Sequence, residues 1–459
     1  MKLNNSYTED FLASKHKRQR GSIAILGTLT MTALFGMLGL TFDAAYLYHL
    51  RRNAQMAADA GAKAGSIEMQ NGSSNDTVKD QAKAEAATNG FTDGVNGVTV
   101  TVNKPPVGGS WDGNANAVQV IVRQAVPTSF MQVLGLANAQ VVAESVGGKQ
   151  SGTNCVYALN PAKDGAITVS GGTSNVQANC GVVDDSSTSH AFNISGGATF
   201  SATSVSVVGG VADTSGTDLC GSNCTVTNAP NKPITGAAYE ADPLRSIAQP
   251  SSGGACTYSG LGTLTGGTPA PAVTPPITGN GTAGSPFILS PGTYCDGVKL
   301  SSAYATFNSG TYIMKGISGS NQSLNISGTS NVTGTNVTFF LTATSGSNYR
   351  TIAVSGGSTT NFTAPASGSL AGMLFFQDRT LTGVNNNGQE SFTGGSNLTL
   401  QGALYFPLDN VTFSGGTAAH PDYLIIVADT ITFSGGSTIN NDYSGLDLGS
   451  PIQVTGIIE

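Results

Sequence analysis

Six cysteines are the first residues whose type and spacing could do chemistry: Cys155, Cys180, Cys220, Cys224, Cys256 and Cys295. Pairing each with its neighbour in sequence (Cys155 with Cys180, Cys220 with Cys224, Cys256 with Cys295) is the simplest of the connectivities that six cysteines allow. All six follow the chain's one long apolar segment. In an exported chain that placement reads as disulfides. Zinc is the other chemistry open to Cys220-Gly-Ser-Asn-Cys224, but neither His190 nor His420 stands at ligand spacing. Of the remaining histidines, His16 lies in the basic N-terminal segment and His49 beside the apolar span. His190 and His420 are isolated in polar turns and read as solvated loop residues. Asp378-Arg379, in LFFQDRT, is the one pair that a β-solenoid could present for polysaccharide cleavage, a reaction that needs a base or bound calcium. With no further carboxylate nearby in sequence, it reads as a structural ion pair capping a turn. Calcium-binding glycine repeats place an Asp after each Gly pair. Here Thr173, Ala198 and Ser358 follow Gly172, Gly197 and Gly357. No catalytic residue, metal site or cofactor is expected.

Composition points to turn-rich β structure. Only 10% of the 459 residues are charged, 39% are hydrophobic and 61 are glycine. Disorder requires low hydrophobicity with high net charge, and the net charge here is −7. No basic stripe exists to neutralise phosphates, so nucleic acid is not an expected partner.

Something must hold these residues outside the cytoplasm. Residues 1–20 carry Lys2, Lys15, Lys17, Arg18 and Arg20 against Glu9 and Asp10, and residues 21–42 carry no charge. At about 1.5 Å per residue the uncharged run spans ~33 Å, the thickness of a bilayer's hydrocarbon core. The basic flank predicts a cytoplasmic N-terminus and an exported C-terminus. Ala24, Thr28, Thr32 and Gly36 recur every fourth residue, a small-residue face on which membrane helices pack closely. Beyond the span, FDAAYLYHLRRNAQMAADAGAKAGS is alanine-rich and proline-free. It should continue the helix over residues 43–72, stopping near Asn71-Gly72.

Asp43, Tyr48, Arg51, Gln55, the run Ala57-Ala58-Asp59-Ala60 and then Ala64-Gly65 occur in fixed order after this span. Together they resemble the N-terminal signature of TadE/TadG-like Flp pilus-assembly proteins, over roughly Arg20–Ser66. The resemblance implies an inner-membrane or pseudopilin-like part of the tight-adherence machinery. It also implies other Tad/Flp pilus-assembly proteins as partners, reached through the transmembrane and alanine-rich helix. Prepilins of this system are cut after a glycine and carry a glutamate five residues later. Counting from Gly21, that position is Leu26, so a permanent anchor is expected.

Residues 73–150 read as a small α/β module. Asn75-Asp76 can cap a helix over Thr77–Thr88 that ends at Asn89-Gly90. Period-two runs at Val98–Asn103, Ala117–Gln124 and Ala139–Val146 predict three strands with one covered face. A short helix is expected over Ser129–Leu136, after Pro127. Trp111, in a Gly-rich loop, reads as a packing anchor.

Residues 151–459 repeat one phrase, apolar-x-Ser-Gly-Gly. It ends at Gly172, Gly197 and Gly357, with variants ending at Gly310, Gly328, Gly395, Gly416 and Gly436. The last three are 21 and 20 residues apart. Repeats near that length mark a solenoid whose coils bury their apolar faces only by stacking. Short β-branched runs between glycine corners fit a parallel β-helix, with a β-sandwich as the alternative. NVTFFLTA (336–343) and YLIIVADTITF (423–433) are apolar enough for core strands. Prolines crowd residues 225–291, which read as an irregular excursion stapled by its cysteines.

The expected function is a membrane-anchored, non-enzymatic component of a Flp/tight-adherence pilus system, displaying a β-rich domain in the periplasm or outside. Surface glycan is the contact expected of that domain. The alternative is a membrane-tethered carbohydrate-binding or carbohydrate-cleaving β-helix, which carboxylates clustered on one solenoid face would favour.

Overall fold

The computed structural model describes residues 20–172, 174–213, 224–227, 232–316, 322–355, 357–382, 384, 389–394, 397–415, 421–447 and 449–458. Two compact units divide the chain: Met1–Gln150 with Thr455–Glu459, and Ser151–Val454.

In the first unit a single helix, α1, runs Arg20–Gln70. No proline interrupts it, and it stops where Gly72 takes a positive φ. Helix α2, Asn75–Thr88, is capped by Ser74 rather than by Asn75-Asp76. Ser74 is extended and its hydroxyl accepts the Thr77 N–H at 3.3 Å. Strands β1 (Val98–Asn103), β2 (Ala117–Pro127) and β3 (Asn138–Ser151) form an antiparallel sheet, and the C-terminal strand Gln453–Ile457 joins beside β3. The alanine face of α1 (Ala54, Ala57, Ala58, Ala62) and the Val78, Ala82, Ala86 face of α2 pack with Val100, Val118 and Val120 of the sheet. Small side chains bring backbones close. A Cβ at Gly147 would collide with the Ala62 carbonyl. The helix expected over Ser129–Leu136 is only a 3-10 turn, Met131–Leu134, ended by Gly135 in the left-handed region. Trp111 is half-buried in its loop and belongs to neither hydrophobic cluster.

The second unit is a parallel β-helix-like solenoid. Every strand pair described in its large sheet is parallel, which excludes the sandwich. The Ser-Gly phrases ending at Gly172, Gly197, Gly328 and Gly357 follow strands of one face of the coils. There the corners stack on one another: Gly328, φ 63°, lies over the Ser302 hydroxyl, and Gly415, φ 77°, over the Gly394 carbonyl. Coil length varies more than the phrase spacing suggested. Phe192 pairs with Val211, 19 residues on, and Ala353 with Ser391, 38 residues on. Both apolar segments are core strands, at Val337–Ala343 and Leu424–Ser434. Inside, an aromatic column climbs the coils: Tyr258 over Tyr294 (4.4 Å between centroids), then Tyr312, Phe339, Phe375 and Phe406. Each such pair adds about 1 kcal/mol beyond its burial.

The stacking order is not the chain order. From one end, the face runs Thr263–Thr265, Val298–Ser301, Gln322–Ser327, Thr351–Val354, Glu390–Thr393, 411–414 and 431–434. It then continues with Ile167–Ser170, Phe192–Ser195 and Val211–Asp213, because Ile431 pairs with Ile167. The unit therefore starts mid-stack, winds to one end, and re-enters at the other. The proline-rich excursion makes that return and does not interrupt the stack. Its residues 236–262 run down the outside as a strap. Ala237 N–H donates to the Val207 carbonyl, Glu240 N–H to Asp185, Tyr405 Oη to Asp242, Gln249 to Asp378, Lys315 to the Gly254 carbonyl, and Thr257 N–H to the Thr293 carbonyl.

Candidate functional site: the anchor junction and the strap clamp

On α1 the motif residues sort by face. Asp43 is buried, and its carboxylate accepts the backbone N–H groups of Ser129 (3.2 Å), Phe130 (2.8 Å) and Met131 (2.7 Å). The start of the 3-10 turn supplies those donors, so one carboxylate ties the helix to the β2–β3 connection. Phe130 packs on Gly39, where any side chain would collide with the ring. Gln55 Nε2 donates to Asp59 Oδ1 at 2.9 Å and to the Glu144 carbonyl on β3 at 2.8 Å. Ala57 and Ala58 are fully buried, and Ala60 is half-buried. Tyr48 and Arg51 are exposed. The set fastens a long helix to a sheet. It brings no nucleophile, base or metal ligand together.

In the solenoid, Asp378 and Arg379 do not pair with each other. Asp378 accepts from Thr342 Oγ1 (2.7 Å), Thr380 N–H (2.9 Å), Thr380 Oγ1 (2.6 Å) and Gln249 Nε2 (2.8 Å). Arg379 donates to the carbonyls of Leu244, Arg245 and Ile247, and its guanidinium lies 5.3 Å from the Phe376 ring centre. Both are clamps on the strap rather than a turn-capping ion pair. Burial raises the Asp378 carboxyl, but its hydroxyl, N–H and amide donors outweigh that and leave it below the ordinary carboxylate value.

Other carboxylates sit at the coil corners. Glu390 is fully buried, accepts the Tyr349 hydroxyl at 2.6 Å and the Ile352 N–H at 2.7 Å, and burial holds it well above its ordinary value. Burial likewise pushes Asp184 and Asp409 up to about 7. His190 is exposed, and its Nδ1 faces both Ser189 Oγ (3.1 Å) and Asp164 Oδ1 (3.7 Å). A serine relay needs the acid and the hydroxyl on opposite ring nitrogens. His49 is exposed and hydrogen-bonds Asn53 across one helical turn. Among the described residues no group of three or more His, Cys, Asp or Glu is arranged to hold a metal.

The structure contains disulfides Cys155–Cys180 and Cys256–Cys295. Cys224 begins a short strand, and its expected partner Cys220 lies outside the described residues, as do His16, Thr173, Gly395, Gly416 and His420.

The Flp pilus-assembly TadE/G-like family matches residues 21–74, and the Tad-like Flp pilus-assembly family matches residues 60–146. The N-terminal region of this chain is TadE/TadG-like. Neither curated proteins nor solved structures give a match. The two matches together span α1, α2, β1, β2 and most of β3. They therefore take in both ends of the Asp43 and Gln55 contacts. The sequence reading placed the motif on the helix but missed its acceptors and donors on the sheet side. The signal lay in the uncharged run from Ala125 to Ala143, longer and more apolar at its centre than a polar connection needs.

Proposed function

We propose that this chain is a non-enzymatic component of Flp/Tad pilus assembly, anchored by residues 21–42 in the inner membrane as a single pass, with the solenoid exported. The match of two pilus-assembly families to residues 21–74 and 60–146 carries the reading. Three observations support its finer parts. Basic residues precede the uncharged span, which favours a cytoplasmic N-terminus. The second unit holds two disulfides, as oxidising compartments allow. Four of the solenoid's carboxylates, Asp184, Asp378, Glu390 and Asp409, are buried at corners or engaged by the strap, so they present no open acid–base pair. A display role leaves the exposed Thr and Asn rows of the coils, such as Thr306 beside Thr333 at 3.4 Å, as the surface a glycan would meet.

Alkaline phosphatase fused after Gly148 is expected to be active, and a fusion at Lys15 inactive. The reverse pattern would overturn the orientation. Deletion of the gene is expected to abolish pilus assembly, and normal piliation without it would overturn the system assignment.

A further inference from the structure

The β2–β3 connection carries an exposed apolar tip, of which the anchor junction uses only Phe130. Val133 is 82% exposed, Leu134 67%, Leu136 59% and Phe130 49%. Soluble surfaces rarely cluster large apolar residues this way without a partner. Within the first unit this tip has a fixed address. Phe130 packs on Gly39, three residues before the end of the uncharged span, and Asp43 binds the N–H groups of Ser129, Phe130 and Met131 just beyond that end. At about 1.5 Å per residue, Gly39 lies ~4–5 Å inside the span, so the Phe130 ring stands at the level where acyl chains give way to headgroups.

We propose that the loop 128–137 inserts its apolar tip into the bilayer leaflet beside the emerging helix, so that the TadE/TadG-like module is seated on the lipid surface as well as tethered to it. The proposal rests on the membrane-anchor reading. The chemistry suits the depth. Residues 125–143 hold no charge, and on α1 the only carboxylate or guanidinium between Gly21 and Leu50 is Asp43. The residue is 7% exposed and its carboxylate is met by three N–H donors, which spares a charge the cost of facing hydrocarbon. Tyr46 and Tyr48, both exposed, follow in the next turn, where the headgroup layer favours aromatic rings with a polar end. A protein partner would need no such alignment with the span.

The test uses the full chain, with Trp111→Phe to remove its one tryptophan, in vesicles of phosphatidylcholine and phosphatidylglycerol with and without bromine on the acyl chains. Three probes are compared: Leu34→Trp in the span, Val133→Trp at the tip, and Val107→Trp, also exposed but on the β1–β2 loop at the opposite end of β2. Val133→Trp is expected to emit to the blue of Val107→Trp, to lose most of its emission to brominated lipid, and to resist iodide. Val107→Trp is expected to behave oppositely. If Leu34→Trp is quenched by brominated lipid while Val133→Trp responds only to iodide, the tip lies in water, and the proposal falls while the anchor stands. If Val133→Trp resists both quenchers, a protein surface covers it, and the proposal falls too. If Leu34→Trp itself escapes brominated lipid, the anchor reading fails and takes the proposal with it.

Discussion

Gln249 Nε2 donates to Asp378 Oδ1 at 2.8 Å across 129 residues of chain. That bond fastens the strap to the middle of a stack whose two ends the strap joins. With Arg379 on three strap carbonyls next to it, it makes residues 378–379 the point where the return path is held.

Asp378→Ala is expected to destabilise the second unit by about 2–4 kcal/mol, since hydrogen bonds to a charged acceptor are worth roughly 1.5–3 kcal/mol each and buried donors are left without partners. Limited proteolysis should then cut within residues 244–254 before it cuts the coils. Asp378→Asn, which keeps the shape and part of the acceptor capacity, should lose less. Unchanged protease resistance in the alanine variant would show that the strap is held elsewhere.

A pH dependence follows from the corner carboxylates. Burial pushes Asp184 and Asp409 up to about 7, Asp185 to about 6, and Glu390 well above its ordinary value. Between the ordinary carboxylate value near 4 and these raised values, the folded chain binds more protons than the unfolded chain, so stability falls as pH rises through that window. Thermal or urea unfolding should therefore show the solenoid more stable at pH 5 than at pH 7.5. Asp409→Asn should flatten the slope. Asp378, held below its ordinary value, acts in a separate window: its contribution is present above the unfolded value and lost only as pH falls through the lower folded one. A solenoid that gains stability from pH 5 to pH 7.5 would contradict the burial of these groups.

The local elements were legible and the long-range order was not. Period-two valines marked β1, β2 and β3, and Asn71-Gly72 marked the end of α1, because those signals reside in neighbouring residues. The stretch 129–136 read as a helix but forms only one 3-10 turn. Gly135 ends it, and its first N–H groups are spent on Asp43. The repeat phrase announced a solenoid, yet its copies present nearly the same corner, an apolar residue, then Ser or Thr, then Gly, so any coil could stack on any other. Only pairings such as Ile431 with Ile167 decide that the first coil follows the last. Asp378 and Arg379 stood out as a pair, but their partners Gln249, Leu244 and Ile247 lie more than 120 residues away. No local pattern could have found them.

Non-reducing peptide mapping is expected to recover Cys155 joined to Cys180 and Cys256 joined to Cys295. The second bond closes a loop with a separation of 39 residues, which chain entropy values at roughly 4 kcal/mol. Because that loop includes the coil Thr263–Thr265 at one end of the stack, Cys295→Ser should loosen this end and expose residues 256–291 to protease, with the span still inserted. Free thiols at both positions, or Cys256 linked to Cys155, would refute the pairing.

The permuted stack makes the sharpest prediction. Gly152 N–H donates to the Ile452 carbonyl at 2.9 Å, so the two chain ends of the second unit meet in mid-stack. Joining 454 to 151 through a short linker and opening the chain inside the strap, near Gly254, gives an order in which the coils follow one another without a return path. Solenoid stability is a sum over coils and their interfaces, and all these interfaces survive the rearrangement. The permutant should therefore fold with the wild-type β circular dichroism and both disulfides. Its unfolding midpoint should drop only by what the continuous strap contributed, and Asp378→Ala should now cost it less than it costs the native order. A permutant that stays unfolded would mean that the strap is needed to bring the two arms together.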